Sequence, residues 1–199
     1  ALSSIVHPHN PLAPSMHLHV SWTEMKTGHG YWRVMADLNP AIENPQHTAR
    51  FKAALETSVN QPTKAEALNA PSEQYLDIDK LAGAFAQGDR YFFIPAFERY
   101  RGVCHFYLEN YYTDNAEADL ALAERIISRV INSYASLLDE AIGENTSITA
   151  EDFRSQLDYH SLYFFQVLTL DRGTTSGLLV HNQNDVGILG SLPTYVDKA

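Results

Sequence analysis

Hydrophobic and polar positions alternate from residue 16 to 25, with His17, His19 and Ser21 set against Leu18, Val20 and Trp22. A period of two predicts a strand with both histidines on one face. Gly28-His29-Gly30 reads as a turn and residues 31–38 as a second strand, so the two predict a hairpin. The period then changes. Phe51, Leu55 and Val59 recur every fourth residue and predict a helix over 45–59. Residues 60–74 have loop composition, with Pro62, Asn69 and Pro71. Strands are predicted at 91–94 and 102–108, with a charged segment of helical character between them. Asp114, with Glu117 three positions on, reads as the cap of a long helix. Leu120, Ile127, Val130, Ile131, Tyr134 and Leu138 form its apolar stripe up to Gly143. Thr149 caps another, short helix, with Glu151 and Asp152 favouring its dipole. Aromatic and β-branched residues predict strands at 162–170, 176–180 and 186–189.

Hairpins with intervening helices predict an α+β fold, one domain over residues 1–199, with no internal repeat or linker. Composition agrees: 45% hydrophobic and 19% charged residues are those of a folding globular chain. A formal net charge of -10 and no cluster of Lys and Arg exclude a nucleic-acid backbone as partner. A polyanionic ligand needs a locally basic pocket. Cys104 is the only cysteine, so no intrachain disulfide and no thiolate metal cage forms. No run reaches the roughly 20 apolar residues of a membrane span, and Ala1-Leu2-Ser3-Ser4 has neither an initiator Met nor a signal peptide. The expectation is a cytoplasmic protein whose numbering begins inside a longer gene product or after processing. Asn145-Thr146-Ser147 is then a chance sequon.

Four stretches share their order with one known family. His7-Pro8-His9-Asn10-Pro11-Leu12-Ala13-Pro14-Ser15-Met16-His17 is similar to H-P-x-N-P-x-x-P-x-x-H. Ala36-Asp37-Leu38-Asn39-Pro40 resembles D-L-T-P, and Tyr91-Phe92-Phe93 through Arg101-Gly102 resembles an aromatic strand leading to N-E-x-R-G. Asp171-Arg172-Gly173-Thr174, Gly177-Leu178 and Ser191-Leu192-Pro193 are close to D-R-G-T-x-F-G-L and S-M-P-P. The chain thus resembles the oxygen-dependent coproporphyrinogen oxidase family, the first and fourth stretches carrying most of the weight.

The resemblance implies a large flat antiparallel sheet sandwiched between helices, a homodimer, and oxidative decarboxylation of two propionates of coproporphyrinogen III to vinyl groups. Molecular oxygen would be the co-substrate, with no organic cofactor. His17 would be an acid/base group, and Asp171 and Arg172 would handle the pyrrole nitrogens and the reacting propionate. Ser3, His19, Ser21, Asp37, His181 and Asn182 are the expected substrate-binding positions. Such residue types suit this chemistry. Imidazole exchanges protons near neutral pH, a buried carboxylate accepts pyrrole N–H groups, and guanidinium holds a carboxylate bidentately. Oxygen needs an electron-rich substrate or a metal, and a porphyrinogen is the former.

Departures fall on binding positions. Where the family reads x-N-x-R after His17, this chain has His19 and Ser21, losing a carboxylate anchor. Arg33-Val34-Met35 replaces three glycines, and Lys52 and Ala96 align with family histidines. His181-Asn182 replaces a glycine pair, with a one-residue insertion nearby. Histidines also stand where the family has none, at His19, His105 and His181. With His7 and His17 they make a candidate imidazole site for Cu, Fe or Zn, with His7, His17 and His19 at its centre and His105 or His181 completing it. That points to a metal-dependent oxidase or oxygenase on a smaller carboxylate substrate. Other readings stand beside it: solvated or capping histidines, and Asp171-Arg172 as a structural ion pair. His9, His29 and His47 are expected at the surface, and Tyr163-Phe164-Phe165 as core or dimer surface. The rival function is a non-catalytic protein holding a tetrapyrrole or small acid, which Ser21 and Ala96 favour and His17, Asp171 and Arg172 oppose.

Overall fold

The computed structural model describes residues 1–60, 76–94, 97–143 and 147–169. Within them the chain is α+β, with a four-stranded antiparallel sheet and four helices. The sheet contains β1 (Leu2–Val6), β2 (Ser15–Glu24), β3 (Gly30–Asn39) and β6 (Val103–Tyr111), in the order β1-β2-β3-β6. A two-stranded ribbon pairs β4 (Phe93–Ile94) with β5 (Arg99–Tyr100). The helices are α1 (Pro45–Asn60), α2 (Ile78–Phe92), α3 (Ala116–Gly143) and α4 (Ala150–Thr169).

The predicted hairpin is present, in register from Ser15 opposite Asn39 to Glu24 opposite Gly30. Its alternation sends Met16, Leu18, Val20, Val34, Ala36 and Leu38 to one face, where α1 and α3 bury them in the main core. Phe51, Leu55 and Val59 of α1 are buried there as their spacing predicts. Asn44 caps that helix, its side chain accepting from the backbone N–H groups of Gln46 and His47.

Several expectations are corrected. The cap of α3 is Asn115, whose side chain accepts from Ala118 N at 3.0 Å, in place of Asp114. Its buried stripe runs through Leu122, Ile126, Val130, Tyr134 and Leu137, while Leu120 and Ile131 face outward. Residues 162–169 are helical, not a strand: α4 extends from the Thr149 cap, and aromatic residues packed along one helix imitate strand composition. The strand expected at 91–94 keeps only Phe93 and Ile94, since Tyr91 and Phe92 close α2. The charged segment before Gly102 holds β5. The predicted strands at 176–180 and 186–189 lie outside the described residues. His47 is buried beside Glu140, 3.5 Å away, while His9 and His29 are exposed as expected.

Helix α2 escapes a reading by pattern because Gly83 and Gly88 interrupt it, each costing about 1 kcal/mol of helix propensity. Gly88 has a packing reason. A Cβ there would stand 2.7 Å from the His105 backbone, so only glycine lets α2 lie against β6. Strand β6 bulges twice against β3, at Cys104 and Asn110, both with positive φ (56° and 53°). The Cys104 thiol donates to Thr48 O and burial pushes its pKa up to about 11, so it is a packing group at neutral pH.

Tyr134 of α3 donates from its buried hydroxyl to Pro14 O at 2.9 Å, tying the helix to the turn that leads into β2. Tyr134→Phe leaves that carbonyl without its donor, and the expected loss is about 1–2 kcal/mol in urea unfolding.

Candidate active site

The second face of the sheet is polar where a core would be apolar. Ser15, His17, His19 and Ser21 of β2 stand opposite Asn39, Asp37, Met35 and Arg33 of β3. Asp37 is 0% exposed, Arg101 4% and His17 5%, so three ionisable groups meet in a dry environment.

Arg101 reaches them from the turn before β6. Its N–H donates to Phe92 O (3.0 Å), and its carbonyl accepts from His105 Nε2 (2.9 Å). Gly102 follows with φ 73°, and a Cβ there would lie 2.6 Å from Leu38 O, so the turn demands glycine. So fixed, the side chain places Nη1 2.7 Å from His17 Nδ1, 3.1 Å from Asp37 Oδ2 and 2.9 Å from Asn39 Oδ1. Phe92 and Tyr163 present ring faces to the guanidinium, with centroids 4.6 and 5.4 Å away.

A guanidinium only donates, so His17 Nδ1 presents its lone pair and the ring proton is assigned to Nε2. Asp37 Oδ2 also approaches Nδ1, at 3.3 Å, which would need an N–H there. The shorter contact decides. Burial alone would raise the Asp37 carboxyl; Arg101, then His17 and Asn39, outweigh it and hold it below the usual carboxylate range. Burial likewise opposes the Arg101 charge, and Asp37 more than restores it. Asp37 Oδ2 accepts from Asn39 and Arg101, whereas Oδ1 is buried with no hydrogen-bond partner among the described residues. The cluster can therefore accept a donor group at Asp37 and exchange a proton at His17.

His7 and His17 do come together, their rings edge to face at 5.4 Å. The surrounding groups are aromatic. Tyr163 lies 4.7 Å from the His7 ring and 4.9 Å from the His17 ring, and Tyr159 and His160 flank His7 at 6.1 and 5.6 Å. Tyr163, expected in the core or a dimer surface, is buried in a small core cluster with Tyr159 and also walls the site. His7 Nδ1 bonds Ser15 Oγ at 3.2 Å. His19 stands further along β2 with Nε2 3.0 Å from Ser21 Oγ, and Ser3 is opposite it on β1, exposed. His105 lies apart, between the rings of Phe92 and Tyr100, with its nitrogens 2.9 Å from Asp89 and from Arg101 O. It holds Arg101 in place.

Among the described residues no group of three or more His, Cys, Asp or Glu is arranged to hold a metal ion. Asp171, Arg172, His181 and Asn182 lie outside the described residues, as does Ala96. A groove of about 520 Å³ runs between α4 and the turn before β5, past Phe97, Arg99 and Leu157, and is lined by none of the His17 cluster.

Arg101, Asn39 and Tyr159 were not among the site residues singled out from sequence, and Tyr163 was read there as core or dimer surface. For Arg101 the signal was the glycine after it within a stretch already similar to N-E-x-R-G; for Asn39, its place in the stretch similar to D-L-T-P.

The α+β domain thus brings a buried carboxylate, guanidinium and imidazole together at one sheet face. The family model for coproporphyrinogen III oxidase matches residues 1–198, and the chain belongs to that family. It is 28% identical over 195 residues to an oxygen-dependent coproporphyrinogen-III oxidase of Dictyostelium discoideum, covering 96% of this chain and 53% of the relative. Mitochondrial oxygen-dependent coproporphyrinogen-III oxidases of Rattus norvegicus and Homo sapiens are 26% and 25% identical, with 41% and 40% of their lengths covered. The chain therefore spans about half or less of these relatives. No helix among the described residues is long and apolar enough to cross a membrane.

Proposed function

We propose that this chain carries out an oxygen-dependent oxidative decarboxylation of a porphyrinogen, with the substrate laid on the sheet face that holds His17, Asp37 and Arg101. The observation that carries this reading is Asp37: a buried carboxylate, kept charged by Arg101, with one oxygen that no described group uses. Pyrrole N–H groups are donors of the required kind. Each carboxyethyl group would lose CO2 and two electrons, R-CH2-CH2-COOH + O2 giving R-CH=CH2 + CO2 + H2O2. The two electrons come from the carboxyethyl group, and the electron-rich reduced macrocycle to which it is attached would ease their removal. His17 would exchange the proton, and Asp171 and Arg172 would complete the site as the family resemblance implies.

The test is oxygen uptake with coproporphyrinogen III prepared under inert gas, read together with released CO2 and the vinyl product. Uptake and CO2 release in equal amounts are expected. Ser21, where the family pattern has arginine, favours the second reading, a tetrapyrrole-binding protein without turnover. Porphyrin binding with no oxygen uptake and no CO2 would establish that reading and end the first.

A further inference from the structure

Two polar atoms on the outer half of the same sheet face are buried with no hydrogen-bond partner among the described residues: Nδ1 of His19 and Nε of Arg33. Ser21 lies directly opposite Arg33, and His19, two residues along β2, is its diagonal neighbour, within reach of a long side chain. His19 Nε2 lies 3.0 Å from Ser21 Oγ. With Ser21 as donor, the His19 proton sits on Nδ1, the unpartnered atom. Burial, then Arg33, lowers the His19 pKa, which keeps this imidazole neutral and a one-proton donor. With that tautomer, two N–H groups, one of them on a cation, share one side of the sheet with no acceptor among the described residues.

We propose that Arg33 and His19 form a subsite for a carboxylate, a position no motif of the chain assigns to Arg33. The proposal rests on the porphyrinogen reading for the identity of the ligand. Arg33 is four residues along β3 from Asp37, about 13 Å in an antiparallel strand. A flat macrocycle with its N–H groups at Asp37 would therefore bring a peripheral carboxylate to Arg33. Arg101 is the poorer candidate, because its Nη1 is held by Asp37, Asn39 and His17 and the whole side chain is buried. Arg33 is engaged through Nη2 alone, with Glu109 at 2.6 Å, and both of those side chains are a quarter or more exposed. Such a pair is worth little and yields readily to a ligand.

The experiment titrates the protein with coproporphyrin III, which carries four carboxylates and is inert to the reaction, and with its tetramethyl ester, following tryptophan quenching. Arg33→Leu is expected to weaken binding of the acid roughly 10- to 100-fold and to leave the ester unchanged. Glu109→Gln, which frees Arg33, is expected to tighten the acid roughly threefold. That variant keeps the proposal testable should Arg33→Leu fail to fold, since a merely structural Arg33–Glu109 pair predicts no tightening. Unchanged acid binding by either variant overturns the subsite and leaves the porphyrinogen reading intact. A wild-type protein that neither binds the acid nor takes up oxygen overturns both.

Discussion

Arg101→Met is expected to cost about 3–5 kcal/mol of stability, the usual penalty for removing one partner of a buried ion pair. The loss comes chiefly from what remains. Asp37, fully buried, would keep Asn39 as its donor, too little to offset its burial. The attraction between the charges is a smaller part, so replacing both should restore much of the loss. Asp37→Leu combined with Arg101→Met is accordingly expected to unfold at higher urea than Arg101→Met alone. If the double variant is no more stable than the single one, the pair is not the source of the penalty. The pH dependence has a definite sign. The folded Asp37 pKa lies below its unfolded value of about 3.9, so its contribution is full above that value and is lost as pH falls through the folded one. Wild-type stability should therefore decline on the acid side, and the double variant should lose that part of the decline.

The same cluster shows what could be read from the chain before folding. The alternation of residues 16–25 located His17 and His19 on one face, and β2 confirms it. The helices over 45–60 and 116–143 were legible because their apolar residues repeat with one period for several turns. Their exact buried face was harder. In α3 the chain offers apolar residues all round, and packing selects Leu122, Ile126 and Val130 over Leu120 and Ile131. Helix α2 was hidden by glycines whose purpose, contact with β6, exists only in the folded molecule. The site divides in the same way. His17 and Asp37 lie in recognisable stretches, whereas their partnership depends on the antiparallel register of β2 and β3. Arg101 arrives from 64 residues beyond Asp37, through a turn built on Gly102, and no local pattern reports such an approach. Among the described residues the imidazole set does not converge on one point, for a related reason. His19 and His105 share a face or a neighbourhood with His17, yet each is held by its own partners, Ser21 in one case and Asp89 with Arg101 O in the other.

His17→Ala is expected to lower porphyrinogen turnover roughly 100- to 10,000-fold, the range for losing a positioned acid/base group. The proposal that His17 moves a proton stands on its orientation. Arg101 occupies Nδ1, so the ring can exchange a proton only through Nε2. Removal of the imidazole leaves Arg101 paired with Asp37 and Asn39, so the charge balance of the cluster persists. Binding of coproporphyrin III should consequently change far less than turnover, and added imidazole should restore part of the rate. A substitution that merely loosened the site would weaken binding and turnover together and would gain nothing from imidazole. Oxygen uptake by His17→Ala at the wild-type rate would remove His17 from the chemistry and leave Asp37 and Arg101 as a binding pair alone.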